Sequence, residues 1–268
     1  MRYADGALRI ETATLTAGAG SLDLKGGYRH NGSDWRNGEL DFELTAGGFR
    51  LAQWKAVRDF RQNLDAAVRA DLRGVVQLQD ATPRLAALAG DVAISGIELK
   101  GRSLGDASLN AATTRNILSI RGATQLKSAR ITTFAEWNLT GESFGLGQFE
   151  FQDLTLDELQ ELGLFGGPET GIYFDGSMDG EIGFVGQILR PASWRGMAKI
   201  SRIELTPVAA LEKETDRDLT VRNQGPLLFG IDPAQISIQS ARLVSSDIDL
   251  EMTGTLSYLK KRPWNLRL

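Results

Sequence analysis

Cysteine is absent from this 268-residue chain, and histidine occurs once. Without cysteine there is no disulfide, no thiolate nucleophile and no thiolate metal site, and one imidazole cannot supply the histidine sets of most zinc centres. A cationic excess is also missing. Thirty Lys and Arg against 34 Asp and Glu leave a net charge of −4, so nothing draws the chain onto phosphates and no nucleic-acid partner is expected. No run approaches the roughly 18–20 apolar residues of a membrane-spanning helix, and the opening ten residues lack a signal peptide's apolar core. On these grounds the chain reads as a soluble piece.

What is present is glycine, 30 residues of it against 7 prolines, together with alternation. From Gly38 the chain reads Glu39-Leu40-Asp41-Phe42-Glu43-Leu44, with every apolar side chain on one face of a strand and every acid on the other. The pattern returns at Ile131, Thr133, Ala135, Trp137 and Leu139, and again at Ile248, Leu250 and Met252 between acidic neighbours. Shorter copies are Leu8-Ile10, Leu22-Leu24, Val92-Ile94, Ile236-Ile238 and Trp264-Leu266-Leu268, and Thr12, Thr14 and Thr16 are expected to continue the Leu8-Ile10 face. One apolar face and one wet face is the antiparallel pattern, because parallel sheets buried on both sides read as unbroken apolar runs. Turns are expected at Ala17–Gly20, Asn31–Ser33, Asn37-Gly38, Leu104–Asp106, Gly145–Gly147, Asp175-Gly176 and Asp179-Gly180. That spacing gives a mostly-β chain of about fifteen strands, too many for an immunoglobulin-like sandwich.

Three segments break the β pattern, each opening apolar-x-Leu-x-x-apolar: Phe49–Trp54, Leu154–Leu159 and Ile203–Val208. In the second, Thr155 as N-cap places Glu158 for a capping box, Leu154 opposes Leu159 as a hydrophobic staple, and Gly163 ends the helix. In the third, Thr206 caps a helix with Pro207 in its first turn. Their spacing is irregular, so the chain reads as one repetitive domain, 1–268, in approximate units 1–65, 66–166, 167–215 and 216–268. The second helix carries Leu156, Leu159, Leu162 and Leu164, which either plug the sheet's end or gate its apolar face.

The residues give no catalytic constellation. His30 sits beside Asn31-Gly32-Ser33 and reads as a surface turn residue. The carboxylates Asp153, Asp157, Glu158 and Glu161 suit a helix N-terminus without any need for glycoside chemistry. Asp175, Ser177, Asp179 and Gly180 open like a calcium loop, but its twelfth position is Gly186 where a bidentate Glu is required. The cluster Lys260-Lys261-Arg262 reads as a solvated turn. No enzyme activity, metal or cofactor is expected.

The run Gly90–Ala111, the stretch Asp179–Gly186 followed by Pro191 and Gly196, and the segments Asn223–Leu228 and Leu250–Leu256 resemble the repeating strands of the TamB family of translocation and assembly module proteins, in the AsmA-like superfamily. The resemblance covers most of the chain through degenerate glycine-and-alternation patterns. It implies an elongated, strongly curved antiparallel sheet forming an open, apolar, taco-like groove, with a few short helices between strand groups. It also implies a periplasmic location, an inner-membrane anchor outside this segment, phospholipid as cargo, and an Omp85-type outer-membrane barrel as partner. The expected lining is Leu8, Ile10, Leu22, Leu24, Leu40, Phe42, Leu44, Val92, Ile94, Ile131, Trp137, Leu139, Ile236, Ile238, Ile248, Leu250 and Met252. A sheet closed over its own core predicts the same alternation. A scaffold templating outer-membrane protein strands at an open edge is the alternative function, and edge-to-edge self-association of the segment is a further expectation.

Overall fold

A computed structural model describes residues 2–4, 7–17, 20–30, 34–60, 63–161, 174–188, 190–208, 219–257 and 265–267. The chain is mostly β, with every registered strand pair antiparallel and two short α-helices among the described residues. By its contacts it divides into two compact units, Met1–Thr124 with Phe134–Phe144, and Gln125–Thr133 with Gly145–Leu268. No helix among the described residues is long and apolar enough to cross a membrane.

In the first unit, β1 (Arg2–Ala4), β2 (Ala7–Ala17), β3 (Gly20–His30), β4 (Gly38–Arg50), β5 (Leu64–Gln79), β6 (Thr82–Leu99) and β7 (Arg102–Thr114) each pair with the next. β8 (Ile117–Leu126) and β9 (Arg130–Asn138) carry residues of both units. A 3-10 turn, Leu51–Gln53, and α1 (Lys55–Phe60) interrupt the strands where the Phe49–Trp54 pattern breaks alternation. Arg50 pairs with Asp65, whose carboxylate also accepts the Ala52 N–H at 3.1 Å, so the turn is tied to the start of β5. The fully buried Phe49, Ala66, Leu99 and Leu104 gather at these strand ends.

The strands are longer than the glycines suggested: β5 has 16 residues and β6 has 18. The β6–β7 turn is Lys100-Gly101, both at positive φ, the mirror-type turn whose twist suits a hairpin. Leu104-Gly105-Asp106, expected as a turn, lies inside β7, with a register shift at Gly105. Gly145–Gly147, Asp175-Gly176 and Asp179-Gly180 are likewise no turns but fall at or inside the strands β10 (Phe144–Thr155) and β11 (Phe174–Gln187). Several of these glycines accommodate a ring from the neighbouring strand: a Cβ on Gly180 would lie 2.8 Å from the Phe151 ring, and one on Gly147 would collide with Phe184.

In the second unit, β11 pairs with β12 (Arg190–Pro207), which is flanked in turn by β13 (Val221–Asn223) and β14 (Leu227–Ile231). These two pieces pair with β15 (Gln235–Val244), followed by β16 (Asp249–Ser257) and β17 (Asn265–Arg267). Thr206 and Pro207 are the last residues of β12, opposite Asp175 and Phe174, and Val208 after them is helical, so the helix expected there begins one residue later and its remainder lies outside the described residues. Residues 209–218 lie outside the described residues, as do Asn31–Ser33, Leu162–Leu164 and Lys260–Arg262.

Between β13 and β14 the ladder is bridged by a side chain. Asn223 accepts the Ile203 N–H at 2.7 Å and donates to the Ser201 carbonyl at 3.0 Å and the Gly225 carbonyl at 2.6 Å. Its Nδ2 donates across a gap in the ladder beside Pro226, which has no N–H of its own to donate. Replacing Asn223 with leucine strips partners from the Ile203 amide and is expected to cost about 1–3 kcal/mol, measurable as a lower urea midpoint at unchanged slope.

α2 (Leu156–Glu161) forms as its sequence dictates. The Thr155 hydroxyl accepts the Glu158 N–H at 3.2 Å and Glu158 Oε2 accepts the Thr155 N–H at 2.9 Å, a reciprocal capping box. Leu154 and Leu159 are both buried beside it, together with Phe151, Leu126 and Ala129.

Candidate functional site

Cross-strand registers decide which side chains share a face, because directly opposed residues in an antiparallel pair point the same way. In the first unit, Leu8 opposes Tyr28, Tyr28 opposes Leu40, and Leu40 opposes Val76. The next row is Ile10, Gly26, Phe42, Gly74 and Leu88. Beyond it run Leu24, Leu44 and Leu72, then Leu15, Leu22, Ala46, Ala70, Val92 and Leu109, and finally Phe49, Val68 and Ile94. These rows bring Leu8, Ile10, Leu22, Leu24, Leu40, Phe42, Leu44, Val92 and Ile94 onto one face across five strands. The opposite face carries rows such as Lys25, Glu43 and Arg73, or Asp23, Thr45, Asp71, Asp91 and Asn110.

The expectation for Thr12, Thr14 and Thr16 does not hold. A β-bulge between Ile10 and Ala13 adds a residue to β2 and reverses its parity, so Ala13 and Leu15 continue the apolar face. Thr14 and Thr16 turn to the polar face opposite Asp23 and Ser21, where the Thr14 hydroxyl donates to Asp23 at 2.6 Å. Thr12 lines a polar depression with Asp23, Lys25, Glu43 and Thr45.

The second unit repeats the arrangement. Met178 opposes Ile203, Ile182 opposes Ala198, and Phe184 opposes Gly196. The Ala198 row continues through Phe229, Ile238 and Gly254, and Ile231 leads to Ile236 and Leu256. Met252 opposes Ala241 and Leu250 opposes Leu243, after a bulge in β15 that shifts Ala241 and Leu243 into register. Ile236, Ile238, Leu250 and Met252 therefore share this face. Ile248 lies in the connection before β16 and is exposed. Of the residues expected around β9, Ile131 is half-buried, and Trp137 and, just past the strand's end, Leu139, both in the first unit, are buried. Bulges in β12 and β15 add Ile200 and Leu243 to this face, and Ile203 and Leu205, expected to open a helical segment, lie on it as strand residues.

Burial distinguishes these faces from a closed core. Leu8, Ile10, Leu22, Leu24, Leu40, Phe42 and Leu44 are each half-buried, as are Ile236, Ile238, Leu250 and Met252. The fully buried side chains instead include those beside the Leu51–Gln53 turn and α2. A sheet face packed like a protein interior would hold these residues far more tightly.

The charged groups have structural partners. Arg202 binds Asp179 through Nε at 2.6 Å and Nη2 at 3.0 Å, and reaches Asp153 at 2.7 Å. The guanidinium holds Asp179 below the usual carboxylate range, against the burial that raises it, and Asp179 in turn raises the Arg202 pKa. This ion pair occupies Asp179, one of the two acids of the calcium-like stretch, and joins β10, β11 and β12. Glu158 is 2% exposed. Burial pushes its carboxyl up, but the N–H groups of Ser128, Thr155 and Ala129 and the Thr155 hydroxyl outweigh that and hold it below its ordinary value. His30, expected at the surface, is buried at the end of β3 because its ring lies tilted against that of Trp35, with centroids 4.0 Å apart, and stacks on Tyr28 at 6.0 Å. No group of three or more acidic or imidazole side chains suited to a metal occurs among the described residues.

Comparison with family models, with curated proteins and with solved structures finds no significant match. The functional reading therefore rests on the two apolar faces themselves.

Proposed function

We propose that this chain is a conduit segment that carries phospholipid acyl chains along its apolar sheet faces across the periplasm, between inner and outer membranes. The observation that carries this reading is one-sidedness without closure. In each unit the registers gather the apolar side chains on one face, and mid-strand the large ones, Leu24, Leu40, Phe42 and Leu44 in the first unit and Phe229, Ile238 and Met252 in the second, stay half-buried. Acyl chains fit such a surface because their transfer from water is favourable by about 0.8 kcal/mol per methylene and needs no directional contact. Such a surface selects little among chains.

Purified protein extracted with organic solvent is expected to yield phospholipid by mass spectrometry, and to speed transfer of a fluorescent phospholipid between vesicles. Leu44→Asp and Phe229→Asp, which place a charge on each face, are expected to lower that transfer while the fold persists. Absence of lipid and of transfer from folded wild-type protein would overturn the reading. Nascent polypeptide crosslinked at the strand edges, with no lipid, would support the assembly-scaffold alternative instead.

A further inference from the structure

Gly26 stands in the middle of the first unit's apolar face, between Ile10 and Phe42 across the strands and between Leu24 and Tyr28 along its own. Glycine is required there by backbone approach, since a Cβ would lie 2.6 Å from the Asp41 carbonyl oxygen. The missing side chain has a second consequence. The Phe42 ring lies over Gly74, where a Cβ would come within 2.6 Å of it. The space above Gly26 stays open as a depression of about 340 Å³, walled by Ile10, Leu24, Tyr28, Leu40, Phe42 and Val76.

The chemistry of the walls selects the occupant. The apolar-face side chains around it are hydrocarbon except for the Tyr28 hydroxyl, which is already donated to the Trp35 carbonyl at 2.7 Å, while Lys25, also at its edge, belongs to the polar face opposite Glu43. The backbone of β3 is paired on both sides, with β2 and with β4, so it has no ladder positions for a peptide strand. A sugar, a headgroup or a peptide would leave its own polar groups unpaired in this depression, whereas a hydrocarbon chain would not. We propose that the depression over Gly26 is a discrete seat for one alkyl chain, a resting place on the face rather than a uniform slide. This rests on the conduit reading and adds a position to it.

The test uses the full chain and lauric acid bearing a terminal diazirine, with adducts mapped by peptide mass spectrometry. Adducts are expected to concentrate on the peptides holding Leu24, Leu40 and Val76. Filling the seat with Leu40→Trp, or independently with Val76→Phe, is expected to weaken labelling there about tenfold, the effect of roughly two methylenes left in water. Leu40→Ala should retain labelling, and circular dichroism verifies the fold of each variant. Adducts spread evenly along the apolar rows of wild-type protein, or seat labelling unchanged in either folded variant, overturn the seat and leave the conduit reading standing. Absence of adducts from both apolar faces overturns both.

Discussion

Replacing Glu158 with alanine is expected to lower the unfolding free energy by about 3 kcal/mol, because charge-assisted hydrogen bonds contribute more than neutral ones and their loss leaves buried donors unpaired. The carboxylate does two jobs at once. Oε2 completes the capping box with Thr155, and Oε1 accepts the Ser128 and Ala129 N–H groups at 2.8 and 3.2 Å. One side chain thus joins α2 to the turn between β8 and β9. Glu158→Gln keeps the shape but loses the charge and one acceptor, and is expected to cost about half as much. The pH dependence has a definite sign. The folded-state pKa lies below the unfolded value of about 4.3, so the contribution is complete above that value and fades as pH falls through the folded pKa. Urea titrations from pH 7 to pH 3 on wild type and Glu158→Gln check this; parallel curves would show that the carboxylate charge contributes nothing.

Gly147→Val is expected to cost about 3 kcal/mol, at the upper end of what overpacking usually exacts. A Cβ at Gly147 would collide with the Phe184 ring. That ring cannot slide aside, because it is stacked between Phe149, with centroids 5.5 Å apart, and Trp194, at 4.8 Å. Trp194 is itself anchored by its indole N–H, which donates to the Gln187 carbonyl at 2.8 Å. In a Phe184→Leu background the same Gly147→Val change should cost at least about 1 kcal/mol less, the coupling expected of side chains in contact. Thermal unfolding with near-ultraviolet circular dichroism of the Trp194 environment checks both points. Additive effects of the two substitutions would show that ring and glycine do not share the space.

Much of the apolar face was legible in the residues alone. In β4 the run from Glu39 to Leu44 sits in unbroken register against β3 and β5, so period-two alternation translates directly into facing. The capping box at Thr155 and Glu158 was equally legible, since both partners lie within one helical turn and need nothing remote. Thr12, Thr14 and Thr16 were misread because a single added residue after Ile10 reverses parity, and a bulge leaves no local mark in the residues beyond it. Gly147, Gly176 and Gly180 read as turns because a turn and a close approach ask for the same residue. Only the neighbouring strand tells them apart: Phe184 lies where a Gly147 side chain would project, and the Lys199 carbonyl and Phe151 ring crowd Gly180.

The sequence by itself determined the mostly-β antiparallel class, the one-sided distribution of apolar residues and the two helical interruptions at Leu51–Phe60 and Leu156–Glu161, because alternation and capping are local properties of the chain. The tertiary structure alone decided which strands keep their parity, that His30 is buried under Trp35, that Arg202 occupies Asp179, and that the space over Gly26 stays open. Each of those depends on a residue brought alongside from another strand or turn, and a bulge or a ring from a neighbour is not encoded in the spacing of the residues it affects.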